Sequence, residues 1–265
     1  MNALFAWRYF KSKKSTNAIN VIAWISVLAI GVGTAALIIV LSVFNGFEGL
    51  VKSMYGDFYS DILITPEKGK FVEMPDSTRN KISRVAGIAG SSFFVEEKAV
   101  LVNGDYQTIV YLRGIDSVYG KVNGINKHVI EGNFTLGNTE TPYMVVGSGI
   151  SNAVGADPQN KLGGMVVYLP NRLSNNFSSL DAMHSYTIYT SGIFSVQQEF
   201  DDKYAFTNID FIQYMLDLKP DEYSGAVVSL RTGAKPEDVQ RQLKNILGES
   251  FKVQTRYQQN QSLFS

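Results

Sequence analysis

The chain contains no cysteine, which excludes disulfide frameworks, thiol catalysis and thiolate metal sites together. It has two histidines, His128 and His184. Neither stands near an evident ligand partner in the sequence, so both read as solvated surface side chains rather than metal ligands. Net charge is also missing: 24 basic side chains balance 24 acidic ones, which leaves no global electrostatic case for a nucleic-acid partner. No G-x-x-x-x-G-K-S/T segment occurs, so the chain shows no loop for cradling nucleotide phosphates. What is present is apolar material, 45% of 265 residues, enough for one large or two small domains with a sizeable core.

A local absence is more telling. Residues 15–47 carry no charged side chain, and the first carboxylate is Glu48. A helix needs about 20 predominantly apolar residues to cross a bilayer, so this stretch reads as a membrane span. A cleavable secretory signal has an apolar core of about 7–15 residues; the run 19–44 is too long, and an uncleaved anchor is the better reading. Arg8, Lys11, Lys13 and Lys14 precede the run, which predicts a cytoplasmic N-terminus because basic flanks are retained inside. Everything beyond about residue 50 then lies across the membrane. Residues 1–18 mix Leu4, Phe5, Trp7, Tyr9 and Phe10 with Arg and Lys, as an interfacial amphipathic segment does.

Within the span, Gly31, Gly33 and Ala36 match a G-x-G-x-x-A fingerprint, but that pattern carries meaning only at a strand-to-helix turn. Inside an apolar helix, small residues instead let a second helix approach, and Ala29, Gly33 and Ala36 share a face. At the outer end, Val40, Val43, Phe44 and Phe47 are apolar, Ser42 and Asn45 are polar, and Gly46 weakens the helix.

The remainder predicts an α+β domain. Strands are expected at 60–66, 92–95, 98–102 and 108–113, with Asn103-Gly104 as a hairpin turn and a helix at 76–86 capped by Asp76. Near the C-terminus, 226–231 reads as a strand and 236–247 as a helix with Val239, Leu243, Ile246 and Leu247 on one stripe. Gly248 closes that helix, and another strand follows at 251–256. Two such units at opposite ends suggest one domain split by an insertion. Inside the insertion, 145–155 reads as a strand, a tight turn and a short helix ended by Gly155. Residues 165–169 and 186–190 read as strands flanking a long excursion.

Catalysis finds no support in the motifs. Ser179, Asp181, His184 and Ser185 crowd one polar loop, whereas a triad is defined by three-dimensional geometry. The pairs Glu96-Glu97 and Asp201-Asp202 read as solvated turn charges.

The segment "SVFNGFE" at the outer end of a first span, the aromatic and basic entry before it, and "YLRGID", "GSGISNAVG", "VVYLP" and "YTIYTSGIF" further on together resemble the LolC/LolE lipoprotein-releasing permeases. That family belongs to the wider permease class that includes MacB and FtsX. Gly163-Gly164 stands where the family commonly carries Gly-Asp. The resemblance implies an N-terminal transmembrane helix at 19–50 and a periplasmic Porter-like α+β domain at 51–114 and 192–258. It also implies a Sabre-like, mostly-β insertion at 115–191, with residues 259–265 approaching a second span that the sequence does not contain. It implies a non-enzymatic inner-membrane subunit of a Gram-negative-type bacterium that extracts lipoproteins and passes them to a periplasmic carrier. Val40, Val43, Phe44 and Phe47 would line a lipid cavity, and a hook-like loop at 170–185, with Pro170, Arg172, Leu173 and Phe177, would grip a LolA-like carrier. ATP and Mg would be bound by a LolD-like ATPase partner, with no cofactor in this chain, and a second permease subunit would complete a homo- or heterodimer. The alternatives are a MacB- or FtsX-like mechanotransmitting permease and a single-pass anchored binding protein or receptor.

Overall fold

The computed structural model describes residue 8 and residues 17–56, 59–160, 163–171 and 183–261. It divides into two compact units, Met1–Ser53 and Met54–Ser265. Most of the expected interfacial segment 1–18 and the end of 259–265 lie outside the described residues.

The first unit is built on α1 (Asn17–Gly56), a helix of 40 residues. At about 1.5 Å per residue it is roughly twice as long as a bilayer core is thick, and its apolar part is Val21–Phe47. Gly46 does not weaken the helix enough to end it near residue 50. One interior glycine costs about 1 kcal/mol relative to alanine, and Leu50, Lys52 and Met54 that follow are good helix formers. The hydroxyl of Thr34 donates to the Ile30 carbonyl at 2.8 Å, so this polar group is satisfied within the helix.

In chain order the second unit contains β1 (Ile62–Pro66), β2 (Val72–Glu73), α2 (Asp76–Ser83), β3 (Ile88–Asn103), β4 (Tyr106–Ile115), α3 (Tyr119–Asn123), a 3-10 turn (Ile125–His128), β5 (Val129–Gly132), β6 (Tyr143–Gly147), α4 (Ser148–Val154), β7 (Met165–Pro170), β8 (Met183–Phe194), α5 (Gln198–Asp201), β9 (Tyr204–Asn208), α6 (Ile209–Met215), β10 (Glu222–Tyr223), β11 (Gly225–Leu230), α7 (Pro236–Leu247), β12 (Phe251–Thr255) and α8 (Arg256–Gln261). The two strands expected at 92–95 and 98–102 are one strand, β3, because its central charges are paired rather than solvated. Helix α2 ends at Ser83, and Asp76 is its first residue rather than its cap: Pro75 holds the cap position in extended geometry.

The main sheet runs β12-β1-β11-β3-β4-β9-β6-β8-β5. Strand β7 pairs with both β3 and β8, so the ladder β3-β4-β9-β6-β8-β7 returns to the strand it left. Six strands close into a ring, which removes free edges, and β11, β1 and β12 extend from β3 as an open wing. The ring mixes strands of the expected scaffold (β3, β4, β9) with strands of the expected insertion (β6, β7, β8).

Alternation decides what fills it. Ala99, Leu101, Val110, Leu112, Met144, Val146, Met165, Val167, Ile188 and Ala205 are all at most 1% exposed and belong to one core. Helix α6 adds Phe211, Ile212 and Met215 to that core, and α2 and α7 add Ile82, Val239 and Leu243 over the wing. A second core on the other sheet face gathers Phe94, Phe194, Phe206 and Val227 with Tyr119, Ile125 and Phe200. Gly164, where the resemblance leads one to expect Asp, leaves no room for a side chain: a Cβ there would lie 2.5 Å from Thr187 Cγ2.

The wing ends on β12, whose outer edge is capped by side chains. Gln240 of α7 donates to the Val253 carbonyl at 2.7 Å and to Gln258 Oε1 at 2.7 Å, and Gln258 Oε1 accepts from the Thr255 amide at 3.1 Å. Backbone groups that would otherwise template another strand are thereby occupied.

Candidate functional site

Three places carry the side chains from which a function can be built. The first is the C-terminal part of the apolar stretch of α1. Val40, Val43, Phe44 and Phe47 follow one another at helical spacing and share a face, and they are 65%, 67%, 65% and 66% exposed. At Gly31 and Gly33 a Cβ would meet nothing within 4 Å, so any helix that packs on the small-residue face is not among the described residues.

The second is the root of the excursion. Strands β7 and β8 pair antiparallel from Met165↔Ile188 to Pro170↔Met183, which brings the two ends of the excursion side by side. Pro170 closes the ladder, where its missing N–H costs least. Arg172, Leu173 and Phe177 lie outside the described residues. His184 is a surface side chain, 36% exposed, but it is bonded rather than free: its Nδ1 is 2.8 Å from the Met215 carbonyl oxygen and 3.9 Å from Asp217 Oδ2. Of the loop group considered for catalysis, Ser179 and Asp181 lie outside the described residues, and the His184 ring nitrogen is committed to a backbone carbonyl.

The third is a cleft of about 660 Å³ over the second sheet face, lined by Phe94, Glu96, Tyr111, Arg113, Tyr204 and Lys252 among others. Arg113 and Glu96 sit directly opposite each other on β4 and β3. The guanidinium reaches Glu96 Oε2 through Nε at 2.6 Å and Nη2 at 2.5 Å, and donates through Nη1 to the Tyr119 hydroxyl at 2.9 Å. It lies 4.6 Å from the Phe94 ring centroid and 5.0 Å from that of Tyr204. Burial opposes the Arg113 charge, but Glu96, Tyr119 and Tyr204 outweigh it and raise its pKa. Burial also raises the hydroxyl pKa values of Tyr119 and Tyr204, with Arg113 pulling the other way. The cluster is a fixed ion pair clamped between aromatic rings and offers no activated nucleophile or base. Its chemistry is that of a tie between β3, β4 and α3.

Glu97 and Asp201 differ from their expected role as solvated turn charges, whereas Asp202 is exposed in a turn as expected and Glu96 is half-buried against Arg113. Glu97 is 6% exposed and accepts from Lys70 at 2.7 Å and from the Lys98 amide at 3.0 Å. Asp201 is 4% exposed and accepts from the Ser148 and Ser195 hydroxyls and the Val196 amide. Among the described residues no group of three or more His, Asp or Glu is arranged to hold a metal ion. The Arg113 tie had only a partial signal in the sequence: the hairpin was expected, but its turn residues are Gly104 and Asp105 with Asn103 pairing Tyr106, and counting back from the expected Asn103-Gly104 turn would set Tyr111 rather than Arg113 across from Glu96. The His184 contact had none, since its partner is a backbone carbonyl 31 residues away; Asp201 joins its near neighbours Ser195 and Val196 to Ser148, 53 residues away.

Comparison with known proteins adds the family. The model of the MacB-like periplasmic core domain matches residues 23–246. The chain is 25% identical over 243 residues to the lipoprotein-releasing system transmembrane protein LolE of Haemophilus influenzae, covering 87% of this chain and 55% of that protein. It is 29% identical over 170 residues to the corresponding LolC protein of Neisseria meningitidis, covering 61% of this chain and 40% of that one. The chain thus spans about half the length of the curated relatives it matches. Among solved structures, the periplasmic region of MacB from Actinobacillus actinomycetemcomitans superposes with a TM-score of 0.51 at 13% identity, covering 82% of this chain and 98% of that one. That likeness supports the α+β fold.

Proposed function

Because the chain belongs to the family of the MacB-like periplasmic core domain, and its curated relatives are lipoprotein-releasing transmembrane proteins, we propose that it forms part of an ABC permease that moves lipoproteins out of the inner membrane. The observation that carries this reading is the pairing of an exposed apolar stripe on α1 with a matched outer domain over nearly all of the rest of the chain. Each acyl CH₂ leaving a bilayer costs about 0.8 kcal/mol, so extraction needs an apolar route and an external source of work. Val40, Val43, Phe44 and Phe47 supply the route. A LolD-like ATPase, which binds ATP and Mg, supplies the work, and a second permease subunit completes the cavity. The N-terminus is cytoplasmic, the domain beyond α1 is periplasmic, and the excursion 170–185 presents Pro170, Arg172, Leu173 and Phe177 to a LolA-like carrier.

Two measurements test the two halves of this reading. A photo-crosslinker replacing Phe44, in the permease assembled with its partners, is expected to capture acylated lipoprotein, with more product when ATP hydrolysis is blocked; capture of protein helices alone would reduce the stripe to a packing surface. Arg172→Ala combined with Phe177→Ala is expected to weaken carrier capture at least about tenfold, since an aromatic and an Arg commonly dominate small recognition surfaces. Unchanged capture by a stably folded variant would remove the carrier role and favour a mechanotransmitting permease.

A further inference from the structure

The C-terminus of α6 has a particular chemistry. Leu216 is the capping residue, and beyond it the Asp217 amide donates to the Tyr214 carbonyl at 3.3 Å while the Leu218 amide donates to the Gln213 carbonyl at 2.9 Å. These two bonds make a Schellman cap, in which the residue after the cap is left-handed and is usually glycine. Here it is Asp217, at φ 51°, the one non-glycine residue with positive φ among the described residues. Aspartate is unfavourable at this point for two reasons. The left-handed backbone crowds its Cβ, and its carboxylate sits at the negative end of the helix dipole. Glycine would remove both penalties.

What aspartate supplies is a carboxylate beside His184. The Schellman bonds satisfy the carbonyls of Gln213 and Tyr214 but leave that of Met215, and His184 Nδ1 lies 2.8 Å from it. A carbonyl oxygen only accepts, so Nδ1 carries the hydrogen and donates. The imidazole thus caps the helix from a different element, the second residue of β8, while Asp217 Oδ2 stands 3.9 Å from the same nitrogen. His184 pairs with Leu169 across the β7–β8 ladder, one position from where the excursion enters and leaves.

We propose that His184 is a positioning residue: with the Met215 carbonyl and Asp217 it ties the root of the β7–β8 ribbon to the end of α6 and so sets the direction in which that ribbon leaves the ring. The assignment of a carrier to the ribbon rests on the reading above; the tie itself does not. A left-handed, electrostatically unfavourable aspartate at a position that suits glycine fits a residue that serves its His184 partner rather than the helix.

Three substitutions in the full chain test it by hydrogen exchange and thermal unfolding. In His184→Asn the side-chain amide falls where Nδ1 was and keeps the bond; in His184→Gln it falls where the other ring nitrogen was and loses it. Exchange of the amides at 183–186 and 216–218 is expected to quicken about fivefold in His184→Gln, the effect of one ordinary hydrogen bond, and to stay at the wild-type rate in His184→Asn. Asp217→Gly is expected to raise the melting temperature by about 2 °C through relief of the left-handed strain, yet to quicken exchange at 183–186. Equal rates in the Asn and Gln variants, or an Asp217→Gly variant that only slows exchange, would overturn the tie. If the rates respond as stated while the Arg172 and Phe177 double variant still captures carrier, the tie stands and the carrier reading falls.

Discussion

A guanidinium held between a carboxylate and two rings, 11% exposed with its Glu96 partner at 22%, is a charge that the domain cannot easily lose. Removing one member of such a pair strands the other in a poorly solvated place, whereas removing both is often close to neutral. Arg113→Met is therefore expected to cost about 3 kcal/mol in urea unfolding, and Arg113→Met combined with Glu96→Leu to recover most of that loss. Equal losses in the single and double variants would show that ring packing, not charge, is what Arg113 contributes. At this scale the sequence was only partly legible. The hairpin of β3 and β4 can be read from the sequence, but its register cannot, because the turn is Gly104-Asp105 rather than Asn103-Gly104 and this moves the partner of Glu96 from Tyr111 to Arg113. Nor can the burial of Glu97, because Lys70 is 27 residues away; that of Asp201 combines near partners, Ser195 and Val196, with Ser148, 53 residues away.

Among the elements, the short ones most exposed to trouble are at the sheet margin. Strand β12 has β1 on one side only, and its other side is closed by Gln240 and Gln258. Gln240→Ala leaves the Val253 carbonyl and the Gln258 side chain without that donor. The expected outcome is a loss of about 1–2 kcal/mol, together with concentration-dependent association by sedimentation, because an uncapped edge templates pairing. Destabilisation with no association would leave Gln240 as a packing residue of α7. Helix α7 itself, Pro236–Leu247, matches its sequence expectation to the residue, since proline at its start and glycine past its end mark both boundaries. Strand β9 and helix α6 were not foreseen. Their apolar residues fall in a run too short for either period to stand out, and only the parallel pairing of β9 with β4 gives them their place.

At the scale of the whole molecule, the described residues form one helix apolar enough to cross a membrane and a second compact unit. Orientation is testable because the chain lacks cysteine. A single Cys at the exposed hairpin residue Asp105 is expected to react with a membrane-impermeant thiol reagent in intact spheroplasts, and one at Ser12 is not. The reverse pattern would invert the topology and with it the periplasmic reading.

The sequence by itself determined the helix that can span a bilayer, the strand-helix-strand units at both ends of the second unit, and the family resemblance. Each of these rests on local pattern: an uncharged run, alternation of apolar residues, turn and cap residues within a few positions. Tertiary structure alone decided that strands from the expected insertion and scaffold close one ring, and that Glu97 and Asp201 are buried rather than solvated. It also decided that His184 caps a helix 31 residues away. The physical reason is the same in each case. Hydrogen-bond partners and burial are set by which segments meet, and a chain's local periodicity records which face of a segment is apolar without recording what that face will meet.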